Sequence, residues 1–155
     1  MGNENRTILT LCVIHEPPRV LLGMKKKGFG AGRWNGFGGK VEPGEAIEAA
    51  AHRELREEAG VSVVRLEPMG TIDFEFRGKP GVLEVHVFRG SGVQGEPVES
   101  GEMRPQWFSV EEIPFHEMWQ DDQHWFPYLL AGKKFLGRFV FDESDQILEQ
   151  QLSEV

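Results

Sequence analysis

Apolar residues open the chain as two nearly continuous runs, residues 8–14 and 19–24, parted by Pro17-Pro18. Short apolar runs without alternation predict strands covered on both faces, and the proline pair predicts the turn between them. A polar stretch follows in which six of the twelve positions from Gly28 to Gly39 are glycine. It reads as a loop closed by Pro43-Gly44. From Glu45 to Ala59 the period becomes helical: Ala51, Leu55 and Ala59 recur every four residues, and Gly60 is the stop signal. Beyond it the pattern returns to β, with strands predicted over 62–66, 70–76, 82–88 and 104–110 and a turn at 78–81. A second helix is predicted over 122–130, and residues 137–141 and 146–152 read as a closing hairpin. Strands interleaved with two helices predict the α/β class: a mixed sheet covered on its faces, with residues 1–155 as a single domain.

Composition narrows the picture without naming a chemistry. A chain of 155 residues is long enough to bury its own core. Its net charge of -8 argues against a nucleic acid polymer as partner, since a polyanion needs a basic face. A small anionic ligand fits only if a cation bridges it to the protein. Cys12, the single cysteine, lies in an apolar run and reads as a core residue; with no partner for a disulfide, a reducing compartment is expected. Residues 1–7 are polar and carry no leader pattern, Arg6 stands where a myristoylation signal needs Ser or Thr, and no run approaches the ~20 apolar residues of a membrane span. A monomeric cytoplasmic protein, with minor mitochondrial or nuclear pools, is expected.

Glu54, Glu57 and Glu58 are spaced i, i+3, i+4, so on a helix their carboxylates share one face. Like charges at that spacing cost a helix roughly 0.2–0.5 kcal/mol per pair. Arg53 and Arg56 offset part of that, and a bound Mg²⁺ would offset more, because it takes carboxylate oxygens and leaves its other positions to water and phosphates. On the residues alone, a solvated acidic face and a metal site both stand. Other phosphate motifs fail: Gly39-Lys40 is followed by Val41, so there is no P-loop. The G-x-G-x-x-G at Gly90, Gly92 and Gly95 runs into Glu96-Pro97 rather than a helix, and reads as a loop. The five histidines form no ligand spacing.

The segment from Gly39 to Val61 is what breaks the tie. Gly39, Glu45, Arg53, Glu54, Leu55, Glu57, Glu58, Gly60 and Val61 fill all nine specified positions of G-x5-E-x7-R-E-U-x-E-E-x-G-U, with U aliphatic. In this the chain resembles the Nudix hydrolases. The resemblance implies a loop-helix-loop on an α/β/α sandwich. Glu54, Glu57 and Glu58 would be catalytic carboxylates that hold Mg²⁺, with Gly39 and Glu102 beside the metal, and Arg53 would tie the loop to the helix through Glu45.

Blocks outside that segment are similar to the branch of the family that acts on oxidised purine nucleoside triphosphates: Gly28 to Gly39, Phe74-Glu75-Phe76, Glu102-Met103-Arg104-Pro105, and Met118-Trp119 before Asp121-Asp122. That resemblance implies a small-molecule nucleotide substrate of the 8-oxo-dGTP or 2-oxo-dATP type, split to the monophosphate and pyrophosphate, so that the nucleotide pool is sanitised. Asn35, Asp121 and Asp122 would contact the base edge and Trp119 would stack on the base. Thr10, Phe29, Phe74, Met103 and Trp125 would shape the pocket, and Lys25 would lie near the sugar and phosphates. Leu83 departs from the branch, which carries Met there. Two other readings are a Nudix enzyme for another nucleoside diphosphate-linked substrate and a non-catalytic nucleotide-sensing module. The bland reading of Asp121 and Asp122 is a helix cap, and that of Asn35 a turn residue.

Overall fold

The computed structural model describes residues 5–155; the first four residues of the polar start lie outside that range. Eight strands and two helices follow in the order β1 (Arg6–Glu16), β2 (Arg19–Lys25), β3 (Trp34–Asn35), α1 (Ile47–Ala59), β4 (Ser62–Phe76), β5 (Val82–Gln94), β6 (Met103–Ser109), α2 (Asp122–Leu130), β7 (Phe135–Phe141) and β8 (Ile147–Glu154). The strands form one mixed sheet in the order β3-β2-β1-β5-β4-β7-β8, with β6 paired to β2. Two pairings are parallel, β1 with β5 and β4 with β7.

The unbroken apolar character of β1 and β2 has a direct cause. Alternate residues enter two different cores: Cys12, Ile14 and Leu21 pack with Ala51, Leu55 and Ala59 of α1, while Val13, Val20 and Leu22 pack with Trp125, Phe126 and Leu129 of α2. A helix therefore covers each face, and the chain is an α/β/α sandwich of the expected class. Among the described residues no helix is long and apolar enough to cross a membrane. Cys12 is fully buried, as its apolar setting predicts, and burial pushes its thiol up to about 12.

Four expectations about elements need correction. The glycine-rich stretch is not all loop: Trp34 and Asn35 form β3 against Met24 and Gly23. Residues 62–76 are one strand, not two, with an irregularity between Pro68 and Gly70 where the apparent break lies. Gly90 and Gly92 lie inside β5, whose far end is held by Glu16; its carboxylate accepts the N–H groups of Gly92 and Val93, both at 3.1 Å. The first helix also starts two residues late, at Ile47, leaving Glu45 ahead of it.

One further docking places the site. Residues 37–41 lie along the edge of β1 that β2 leaves free. Thr10 N–H donates to the Gly39 carbonyl at 2.9 Å, Cys12 N–H to Phe37 at 2.7 Å, and Val41 N–H to Ile8 at 2.9 Å. A β-carbon at Gly38 would run into the Thr10 carbonyl, so only glycine permits this approach.

Candidate active site

α1 begins after a loop that Arg53 ties down. Its guanidinium donates to both Glu45 carboxylate oxygens, at 2.8 and 3.0 Å, and to the Lys40 carbonyl at 3.0 Å. This bidentate pair holds the Glu45 carboxyl down at about 2. Gly60 ends the helix in the left-handed conformation, φ 69°. Between these stops the helix buries Ala51, Leu55 and Ala59 and turns Glu54, Glu57 and Glu58 toward a cavity of about 430 Å³.

That cavity collects residues distant in sequence. At one end stand Glu54, Glu57, Glu58 and Glu102, with Lys25, Gly38, Gly39 and Lys40. The rest is lined by Thr10, Phe29, Asn35, Phe74, Leu83, Met103, Trp119, Asp121 and Asp122, together with Leu9, Leu11, Phe76, Val85 and Phe141. Every residue picked from the sequence therefore lines one cavity, except Trp125. Trp125 is fully buried behind the wall and donates its indole N–H to Asp121 Oδ2 at 2.7 Å. Its contribution to the pocket is to hold Asp121, not to form the surface. The sequence did not single out Leu9, Leu11, Val85, Phe76 or Phe141. Strand alternation places Leu9 and Leu11 on the face of β1 opposite Thr10, so it gave no signal for them; no local pattern marks Phe141.

At the acidic end Glu58 is only 4% exposed. Oε1 accepts the Gly38 N–H at 2.9 Å. Burial, with the nearby charges of Glu54 and Glu102, nonetheless pushes its carboxyl up to about 8. Burial raises Glu54 as well, against the pull of Arg53, whose Nη1 lies 3.1 Å from both Glu54 and Glu57. Among the described residues no three carboxylate, thiolate or imidazole groups converge as a ready-made metal cage. Such a cage is not what a hard divalent cation that keeps waters and phosphate oxygens requires; one or two carboxylates suffice. Crowded carboxylates forced toward their neutral forms are the donor set that a cation relieves. The residues present therefore fit a divalent metal, with Glu54 and Glu58 nearest to holding it and Glu57 and Glu102 beside them.

At the other end the acids behave differently. Asp121 and Asp122 are 3% and 2% exposed. Asp121 makes no side-chain cap for α2, so the helix-cap reading fails for it. Burial raises both carboxyls, Asp121 to about 6, and the charge of Asp121 raises Asp122 further. Two adjacent buried carboxyls of this kind retain a proton between them. Asp122 Oδ2 and Thr10 Oγ1 are buried without any hydrogen-bond partner. Asn35 Oδ1 accepts the Gly36 N–H at 3.0 Å. Phe29, 56% exposed, stacks on Trp119 with centroids 5.2 Å apart, and Phe76 and Phe141 meet the same indole edge-on.

Residues 5–129 match the NUDIX domain family. The chain belongs to that family. Two relatives, from Danio rerio and Mus musculus, are each 57% identical over 148 residues, covering 96% of this chain and 95% of their own. Both are oxidized purine nucleoside triphosphate hydrolases. Among solved structures, a MutT protein from Bacillus halodurans aligns with a TM-score of 0.85 at 26% identity, over 95% of this chain and 97% of that one. A MutT protein from Methanosarcina mazei aligns with a TM-score of 0.72 at 25% identity, over 85% and 98%. This NUDIX protein is thus a Nudix hydrolase by family, and Nudix hydrolases generally use divalent metal ions.

Proposed function

We propose that this Nudix hydrolase splits oxidised purine nucleoside triphosphates to the monophosphate and pyrophosphate with Mg²⁺, clearing damaged nucleotides from the cytoplasmic pool. The observation that carries the reading is the pair of orphaned polar atoms, Asp122 Oδ2 and Thr10 Oγ1, in the same cavity as the aromatic side chains of Phe29, Phe74 and Trp119. A buried oxygen left unpaired costs about 1–3 kcal/mol, which a ligand with matching donors and acceptors repays on binding. A purine edge is such a ligand, and the Danio rerio and Mus musculus relatives act on that class. The carboxyl pair, holding one proton, offers a donor beside acceptors. An oxidised guanine edge presents O6 beside N1–H and N2–H; an oxidised adenine presents another pattern, which the pair meets by moving the proton.

The roles divide along the cavity. Asp121, Asp122 and Asn35 read the base, Trp119 stacks on it, and Phe29, Phe74, Leu83 and Met103 exclude water around it. Lys25 is placed for the sugar and phosphates. Glu54, Glu57 and Glu58, with Gly39 and Glu102, hold Mg²⁺, which when bound neutralises phosphate oxygens and acidifies a water. Residues 1–155 act as one domain and as a monomer; Phe141 of the C-terminal hairpin, lining the same cavity as Thr10 of β1, supports the single domain.

The test is kcat/KM over a panel of normal, oxidised and alkylated nucleoside triphosphates and ADP-ribose, with Mg²⁺ and with EDTA, for the wild type and Glu57→Gln. Turnover of oxidised purines above the rest, abolished by EDTA and reduced by orders of magnitude in Glu57→Gln, supports the reading. Equal turnover across bases, or a preference for ADP-ribose, rejects it.

A further inference from the structure

Trp119 is a wall between two cavities. Its inner side belongs to the pocket described above. Its outer side belongs to a second cavity of about 520 Å³, lined by Arg33, Gln120, Asp145 and Gln146 among others. Phe29 lines only the inner cavity and Arg33 only the outer one. The Arg33 guanidinium lies over the indole, 4.1 Å from Cζ to the ring centroid. Its Nη2 reaches Asp145 Oδ2 at 3.0 Å.

Asp145 is well held. It sits in the turn joining β7 to β8 with φ 61°, the left-handed region where Asp is among the better-tolerated residues. Its N–H donates to the Asp142 carbonyl at 3.1 Å, and Asp142 Oδ1 accepts the N–H groups of Ser144 and Gln146. The same turn grips the tryptophan segment a second time. Gln120 Nε2 donates to Gln146 Oε1 at 2.8 Å, and Gln120 Oε1 accepts the Ile147 N–H at 2.8 Å. A guanidinium can stack its plane on a ring while its edge donates to a carboxylate; a lysine ammonium cannot do both.

We infer that Arg33, aimed by Asp145, is a positioning residue that fixes the Trp119 ring from behind for purine stacking. The base preference thereby depends on the C-terminal hairpin, which lies outside the residues 5–129 that match the family. This inference rests on the proposed role of Trp119 as the stacking wall. Without the clamp, the indole keeps only its contacts with Phe29, Phe76 and Phe141, and part of its ordering is left to base binding, so the loss falls on substrate binding and not on the phosphate chemistry at the far end of the cavity.

The experiment measures kcat and KM for 8-oxo-dGTP and for a pyrimidine triphosphate in the wild type, Arg33→Ala, Arg33→Lys, Asp145→Asn and Trp119→Ala, with urea unfolding of each. Arg33→Ala is expected to raise KM for the oxidised purine by roughly 3- to 30-fold, the range of a cation over an aromatic face. Its kcat should change little, and the pyrimidine substrate should be spared. Arg33→Lys should not rescue, and Asp145→Asn should move KM in the same direction. An unchanged KM in Asp145→Asn and either Arg33 variant overturns the inference, as does an equal loss on both substrates. Should Trp119→Ala leave the purine preference intact, the reading of Trp119 fails. Should it abolish the preference while the Arg33 and Asp145 variants keep it, only the positioning role fails.

Discussion

Trp125 donates its indole N–H to Oδ2 of Asp121 at 2.7 Å, and both side chains are buried. This bond favours the ionised form of Asp121 and opposes the larger effect of burial. Trp125→Phe keeps one aromatic ring, removes the donor and leaves a small cavity, which adds to the stability loss. The Asp121 carboxyl should then rise further, and the limb of the kcat/KM pH profile that reports the aspartate pair should move to higher pH. A stability loss of about 1.5–3 kcal/mol in urea unfolding is expected, the range for hydrogen bonds to charged groups. A pH limb that stays in place would mean Trp125 is packing alone.

Asp122→Asn should separate stability from activity. Burial and the Asp121 charge raise the Asp122 carboxyl, so the folded protein keeps a proton that the unfolded chain has released. From about pH 4 upward, through the folded pKa, that difference lowers stability. An amide has no charge to bury, so Asp122→Asn should unfold at a higher Tm than wild type at pH 8, with the advantage vanishing near pH 4. The same variant should change the ratio of activity on 8-oxo-dGTP to that on 2-oxo-dATP, because an amide fixes donors that a carboxyl can switch. Parallel Tm curves from pH 4 to pH 8 would show that the pair ionises freely and does not share a proton.

If Glu58 holds the metal, as proposed, binding should release a proton. With its carboxyl pushed up to about 8, Glu58 is mostly protonated at neutral pH in the metal-free protein. A cation needs the carboxylate. Titration calorimetry with Mg²⁺ at pH 7, in two buffers of different ionisation enthalpy, should show about one proton released per ion, falling toward none above about pH 9. The metal-free protein should also lose stability as pH rises from about 4.5 to about 8, since folding holds the proton across that window. Buffer-independent heats at pH 7 would place Glu58 outside the metal site.

Trp119→Ala tests stacking directly. Base–aromatic stacking contributes ~1–3 kcal/mol. At roughly 1.36 kcal/mol per decade, kcat/KM for an oxidised purine should fall about 5- to 150-fold. A pyrimidine triphosphate should lose less. Equal losses on the two would assign Trp119 to the fold.

Much of this was legible because it is local. The Nudix segment is one loop and one helix, so Arg53 to Glu45, the buried stripe Ala51–Leu55–Ala59 and the Gly60 stop all follow from spacing along 23 consecutive positions, Gly39 to Val61. What was not legible depends on distant strands. The gap between the strands predicted over 62–66 and 70–76 is not a break, because β5 pairs with β4 on both sides of it, through Pro68 and again from Gly70. Trp34 and Asn35 form a strand only because the end of β2 has a free edge there. The resemblance put Trp125 among the residues that shape the pocket. It lies fully buried one helical turn beyond Asp121 and meets the pocket only through that carboxylate.

The three box carboxylates all come from thirteen consecutive residues, Ile47–Ala59, whereas the walls of the base pocket come from β1, the glycine-rich stretch with β3, β4, β5, β6, the segment leading into α2, and β7. The two halves of the enzyme can therefore be edited separately. On the proposed roles, replacing Leu83, Phe74 or Phe141 should alter which base is admitted while leaving the box carboxylates in place. The cleaving end is thus local in sequence, while the recognition end is spread over the chain and is open to change one side chain at a time.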